Sequence, residues 1–232
     1  MRTLEFCTGE YYHIYNRGVD KRDVFLDFLD YERFVSMLCL SNSKDTYYIR
    51  DIKKKFGDKF LGLETLLELR TESLVDIGAW CLMPNHFHLL IKEKEIGGLS
   101  KFLHKLETGY TGYFNKKNDR TGSLFQGTFK AEHVGSDKYL KYLFSYIHLN
   151  PIKLIDSTWK ENGIKNIDKA IKYLNSYTRS SYLDFAVNNR IEGRLVNRSA
   201  FPDYFLNPVS FEKEIFEWLS YKHLQNQTKA KP

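Results

Sequence analysis

The chain is poor in sulfur chemistry. Its three cysteines, Cys7, Cys39 and Cys81, are odd in number and form no Cys-x-x-Cys pair. That argues against a disulfide framework and against zinc-finger spacing, and it makes a reducing, cytoplasmic setting the expectation. No apolar run reaches the roughly 20 residues that a membrane crossing needs. The opening Met1-Arg2-Thr3-Leu4-Glu5 begins no such run, so no membrane partner is expected. Internal repeats and low-complexity tracts are missing, which excludes repeat arrays. Continuous Val/Ile runs are missing too, and with them the pattern of a sheet buried as parallel strands.

What remains is an ordinary soluble composition: 232 residues, 42% hydrophobic and 28% charged. That length suits one large domain, or one domain with an appendage. Sixteen tyrosines and 17 phenylalanines serve equally for a packed core and for stacking on bases. The net charge of +6 leans toward a polyanionic partner.

Residues Tyr11 to Asn16, aromatic and β-branched, read as a first strand ended by Arg17-Gly18. A polar turn with Lys21 and Arg22 follows. Asp30 is the expected N-cap of a helix to about Leu40. The segment 41–73, with Lys53-Lys54-Lys55 and a short helix over 61–69, reads as an insertion. A second strand over 74–82 leads through Met83-Pro84 into a third over 86–91. After the Gly97-Gly98 break, Leu99, Phe102, Leu103, Leu106 and Tyr110 mark an amphipathic helix over 99–115. Residues 124–134 read as a strand, or as a hairpin broken at Gly127. A helix over 137–149 is capped by Ser136 or Asp137 and stopped by Pro151. Weaker helical segments follow, the last over 211–223, then a polar tail. Together these elements make an α+β protein with an antiparallel sheet.

Chemistry concentrates in two places. In a strand His86 and His88 share one face while Phe87, Leu89 and Ile91 share the other. Such a pair is either a satisfied couple or half of a metal site. On the 137–149 helix, Leu140, Leu143, Phe144 and Ile147 form the core stripe. Tyr139, Tyr142, Tyr146 and Asn150 form a second stripe at its edge, with His148 on the opposite side. These are either edge-of-core aromatics before a proline stop or functional groups. Two imidazoles and an amide oxygen can hold a divalent cation that polarises a phosphate, and a tyrosine hydroxyl can attack phosphorus.

The residues carry a resemblance that bears on the choice. Leu82-Met-Pro-Asn-His-Phe-His-Leu-Leu90 resembles the His-hydrophobic-His element of the single-tyrosine HUH transposases, and Tyr146-Ile-His-Leu-Asn-Pro151 their catalytic tyrosine helix. Tyr12-His-Ile-Tyr-Asn-Arg-Gly18 with Asp30-Tyr-Glu-Arg-Phe34, and Gly122-Ser-Leu-Phe-Gln-Gly127, resemble the flanking pieces in the same order. The Tyr-Ile-His-Leu-Asn-Pro form is closest to the REP-associated tyrosine transposase branch.

The resemblance implies a ferredoxin-like core and Mg2+- or Mn2+-dependent cleavage and rejoining of single-stranded DNA bearing hairpins. It implies His86, His88 and Asn150 as metal ligands and Tyr146 as the nucleophile, leaving a 5′-phosphotyrosine and a free 3′-hydroxyl. The catalytic domain would span 1–155 with 41–73 inserted, and 156–232 would be a helical extension. Arg17, Lys21, Arg22, Lys116, Lys117, Arg120 and Lys130 are candidate phosphate contacts, and Tyr113 and Phe114 are either base-stacking residues or helix-end core. Monomer and homodimer stay open. So do two competing functions: a hairpin-binding protein that does not cut, and a hydrolase that uses an activated water.

Overall fold

The computed structural model describes residues 4–57, 62–186 and 190–203, with a few further positions between 211 and 217. The sheet has four strands in the order β2-β3-β1-β4: β1 (Tyr11–Arg17), β2 (Val75–Met83), β3 (His86–Glu93) and β4 (Lys130–His133). Each neighbouring pair is antiparallel. α1 (Phe28–Ser41) follows β1 and α4 (Gly98–Lys117) follows β3. Strand, helix, strand, strand, helix, strand in that spatial order is the ferredoxin-like arrangement expected from the motifs. Between α1 and β2 the chain forms α2 (Ile49–Phe56) and α3 (Leu63–Leu69).

Period two along β3 sorts its side chains onto two faces. Phe87 points to α1 and α4, where its ring lies 5.1 Å from Phe34, and Phe34 lies 4.9 Å from Tyr110. Tyr110 is wholly buried and donates its hydroxyl to Val24 O at 2.6 Å. Aromatic payload and a satisfied polar tip together make this the main core layer. The other face receives α5 (Asp137–Leu149). Its stripe of Leu140, Leu143, Phe144 and Ile147 is buried, so the helical periodicity fixes which side of α5 faces outward.

Three local expectations shift. α1 is capped by Asp27, whose side chain accepts from Asp30 N, rather than by Asp30. Asp30 sits in the first turn, reaching back to Leu26 N at 2.8 Å, so the two carboxylates share the capping work. Residues 124–134 yield only the four-residue β4. Ahead of it a Phe125–Gly18 bridge and a Gln126 N–Arg17 O bond bring the chain to Gly127, whose φ of +74° turns it away from the ladder. α5 begins where Ser136 Oγ accepts from Tyr139 N at 3.2 Å, and Pro151 converts its end into a short 3-10 turn over Asn150–Leu154.

The remaining described helices are α6 (Trp159–Asn162), α7 (Ile167–Ser176) and α8 (Tyr182–Ala186). The helix expected over 211–223 lies largely outside the described residues. Beyond α7 the chain lies along the outer edge of β2. Leu82 N donates to Arg179 O, Ser181 N to Trp80 O, and Asn197 N to Ile77 O, each at 2.9 Å. At the start of β2, the Asn42 amide exchanges two hydrogen bonds with the Val75 backbone, at 3.0 and 2.9 Å. Among the described residues no helix is long and apolar enough to cross a membrane.

His148 is buried on the inner side of α5, its Nδ1 against Phe144 O at 2.9 Å and its Nε2 against Ser181 Oγ at 2.8 Å. Burial pulls its pKa down to about 3. The unfolded chain binds this proton near pH 6.5, so it takes up more protons than the native state as pH falls below that value. Stability present at pH 7 is therefore lost on acidification, by about 2 kcal/mol at pH 5 from this group alone. Urea unfolding of metal-free protein at pH 7 and pH 5 checks it. His148→Gln should show a smaller loss between the two pH values; an unchanged loss would remove His148 from the account.

Candidate active site

The face of β3 opposite Phe87 carries His86 and His88, ring centroids 5.1 Å apart. Strand register sets Arg17 of β1 opposite His86 and Tyr15 opposite His88. On the other flank, Met83 and Cys81 of β2 face the same two histidines. α5 crosses this surface with its tyrosine stripe toward the histidines. The Tyr146 ring is half-buried, 5.5 Å from His88 and steeply inclined to it at 76°. Tyr139, Tyr142 and Tyr146 are stacked along the helix at 6.2 and 6.1 Å.

Asn150, one turn beyond Tyr146, is buried, and its Oδ1 makes no hydrogen bond of ordinary geometry, although the amide lies close enough to act on His86 and Tyr146. A buried amide oxygen left in that state costs about 1–3 kcal/mol unless something else occupies it. Among the described residues no three His, Cys, Asp or Glu side chains converge to ligate an ion. A cation here needs a donor outside that set, and Asn150 Oδ1 supplies an oxygen of the type that Mg2+ and Mn2+ accept. The donor set fits such an ion.

Electrostatics favours neutral imidazoles. Burial, and then the Arg17 guanidinium, pull His86 down to about 4, with Asn150 opposing. Burial and the neighbouring His13 and His86 hold His88 well below its ordinary value. At pH 7 both rings carry a lone pair, the state a metal ligand requires. Tyr146 moves the other way: burial raises its phenol, and Asn150 lowers it in part. The hydroxyl is protonated at pH 7 and needs a polarised target to react.

Sequence reasoning missed several neighbours. His13 of β1 is buried, with Nε2 2.9 Å from His88 Nδ1. Its other nitrogen faces Glu132 Oε2 of β4 at 3.9 Å. The strand alternation already placed His13 with Tyr11 and Tyr15 on one face; what was missing was the register that brings it diagonally beside His88. Lys160 of α6 lies with its ammonium 4.4 Å from the centre of the Tyr146 ring, a cation–π distance that nothing local in the sequence announces.

The candidate phosphate contacts separate. Arg17 is half-buried at the histidines, and its Nε has no partner. Lys21 and Lys116 are exposed, and Lys130 is exposed with its ammonium 6.0 Å over the Tyr15 ring. Arg22 pairs with Asp20 at 3.2 Å on the surface, a contact that solvent screens readily. Arg120 donates to Asn115 Oδ1 at 3.2 Å. Lys117 is paired: its ammonium lies 2.7 Å from both Asp27 and Asp30, at the start of α1. Phe114 takes the core reading of its two, since only 2% of it is exposed and it cannot present a face to a base. Tyr113 gives its hydroxyl to Asp30 at 3.0 Å.

Comparison with known proteins finds a likeness over part of the chain. Residues 42–150 match the family model for IS200-like transposases, and that stretch contains His86, His88, Tyr146 and Asn150. No curated protein matches the chain. Among solved structures, a REP-associated tyrosine transposase bound to a REP hairpin aligns with a TM-score of 0.48 and 15% identity, covering 87% of this chain and 96% of that one.

Proposed function

We propose, from the match of residues 42–150 to IS200-like transposases, that this chain cleaves and rejoins single-stranded DNA through a tyrosine-linked intermediate. The observation that carries the reading is the meeting of two neutral imidazoles, an unpartnered buried amide oxygen and a half-buried phenol on one face of the sheet.

His86, His88 and Asn150 would hold a Mg2+ or Mn2+ ion, which supplies charge neutralisation at a phosphate when bound. Tyr146 Oη forms the new bond to phosphorus and gives up its proton. The bond from phosphorus to the 3′-oxygen breaks, and that oxygen takes a proton and leaves as a hydroxyl. The 5′-phosphate stays on Tyr146. Return of the hydroxyl reverses the exchange, so one phosphoester is traded for another and no external energy source is required. The substrate class is single-stranded DNA with hairpins, from the likeness of Tyr146-Ile-His-Leu-Asn-Pro151 to the REP-associated branch. Arg17, paired opposite His86 in the strand register, would meet the scissile phosphate. Lys21, Arg22, Lys116, Arg120 and Lys130 supply longer-range attraction for the strand.

The test is a denaturing gel of the full chain with end-labelled hairpin DNA and Mg2+ or Mn2+. A slow, protease-sensitive band that requires the metal is expected. Free 5′-phosphate ends without that band would point to an activated water instead. Retardation in native gels with no cleavage under either metal would leave a binding protein.

A further inference from the structure

A histidine can ligate a cation through Nε2 only if its hydrogen sits on Nδ1, so a site built from two imidazoles has to choose that tautomer twice. For His86 the choice is visible. Its Nδ1 lies 2.6 Å from Asn85 Oδ1, while Asn85 Nδ2 donates to Lys21 O at 2.9 Å. The second contact fixes which end of the Asn85 amide faces His86: a carbonyl oxygen, which only accepts. His86 Nδ1 must carry the hydrogen, and its Nε2 is left with a lone pair.

For His88 the partner is another imidazole, which could donate or accept. His13 Nε2 and His88 Nδ1 are 2.9 Å apart, with one hydrogen to share between two neutral rings. The far side of His13 breaks the tie. Its Nδ1 faces Glu132 Oε2 at 3.9 Å, longer than a hydrogen bond but close enough for the half-exposed carboxylate to act on the buried ring. A carboxylate there favours a hydrogen on His13 Nδ1 and repels a lone pair. Glu132 is itself held in place: Tyr15 donates to its Oε1 at 2.7 Å and Tyr139 to its Oε2 at 3.0 Å. With the hydrogen on Nδ1, His13 Nε2 can only accept, and His88 Nδ1 must donate to it.

We infer that His13, backed by Glu132, is a positioning residue that keeps the hydrogen of His88 on Nδ1 and leaves His88 Nε2 bare for a divalent cation. The inference rests on the proposed metal-binding role of His88. It gives β1 and β4 a part in a site whose ligands stand on β3 and follow α5. It also makes the ligand pair asymmetric. His86 is held by an amide fixed from a loop carbonyl, and His88 by a chain of side chains that ends on the tyrosine helix at Tyr139.

Two measurements on the full chain without DNA test it. The first is long-range proton–nitrogen correlation NMR of the histidine-labelled, metal-free protein, with the His88 signals identified by their loss in His88→Gln. A hydrogen on His88 Nδ1 is expected; a hydrogen on His88 Nε2 overturns the inference whatever the variants do. The second is Mn2+ affinity by titration calorimetry for wild type, His13→Leu and His13→Gln. Loss of an outer partner of a ligating histidine costs about 10–100-fold in metal affinity, which is the drop expected for His13→Leu. His13→Gln, which restores an acceptor oxygen, should stay within a few-fold of wild type. A drop shared equally by both variants would mean that His13 only packs, and no drop in either would mean that it does nothing for the ligand. If wild type itself binds no Mn2+, the metal role of the site falls, and the effect of His13 on affinity falls with it. Tight wild-type binding with an unaffected His13→Leu removes this inference alone.

Discussion

Tyr146→Phe is expected to fold and to retard hairpin DNA but to form no covalent adduct, a loss on the order of 10³-fold or more in strand cleavage. On the proposed role of Tyr146 the size follows from removing the attacking atom itself. The specificity follows from how little else the hydroxyl does. The Tyr146 ring stays stacked 6.1 Å from Tyr142 and beneath Lys160, and both contacts need only the ring. The hydroxyl has Asn150 beside it, so stability should change by no more than about 1 kcal/mol. Tyr142→Phe is the matched control. It removes a hydroxyl one turn earlier in the same stack and should leave the adduct band at wild-type intensity. An adduct that survives Tyr146→Phe and disappears with Tyr142→Phe would move the nucleophile along the helix.

The largest effect on stability is expected away from the site, from Asp30→Ala. Asp30 is completely buried, and three donors converge on its carboxylate: Leu26 N at 2.8 Å, Tyr113 Oη at 3.0 Å and Lys117 Nζ at 2.7 Å. Truncation strips all three at once. Removing one partner of a buried pair costs about 3–5 kcal/mol. Lys117 is 26% exposed and can turn partly to water, which places the loss near the lower end. For a chain of this length that corresponds to a fall in Tm of roughly 6–12 °C. Asp30→Asn keeps an acceptor for Leu26 N and should lose less. Lys53→Ala on the exposed side of α2 should stay within about 0.5 kcal/mol. Equilibrium urea unfolding of the three variants decides it, and a loss under 1 kcal/mol for Asp30→Ala would show that the network holds little.

These two residues mark what was legible in the sequence and what was not. The facing of His86 and His88, and of Tyr146 and Asn150 on α5, follows from periods of two and 3.6 residues, which depend only on the local backbone. The α+β class and the strand order likewise agree with the motif order. The pairing of Lys117 could not be read from its own neighbourhood. A lysine beside another lysine looks like a solvated, phosphate-seeking charge until α4 is packed on α1 and the Asp27 and Asp30 carboxylates arrive beneath it. Asp30 was misjudged for a related reason. It carries a good cap residue's side chain, but Asp27 three residues earlier does the capping while Asp30 is spent on Leu26 N. His13 needed the register between β1 and β3, which is fixed by pairing between residues 75 positions apart. Lys160 needed the path of the chain after Pro151.

The seam along β2 has a consequence for how the molecule is made. All nine residues of Val75–Met83 are buried, and the outer rim of that strand is closed by Arg179, Ser181 and Asn197. A ribosome that has released only the residues up to Asn150 has delivered the proposed ligands and nucleophile. Yet it leaves a nine-residue, mostly apolar strand with a bare hydrogen-bonding rim, the feature most prone to pairing with another nascent chain. The sheet stays open-sided until about 50 further residues emerge, a few seconds at ordinary elongation rates. During that interval the proposed site is present in the chain while the sheet edge is colloidally unprotected.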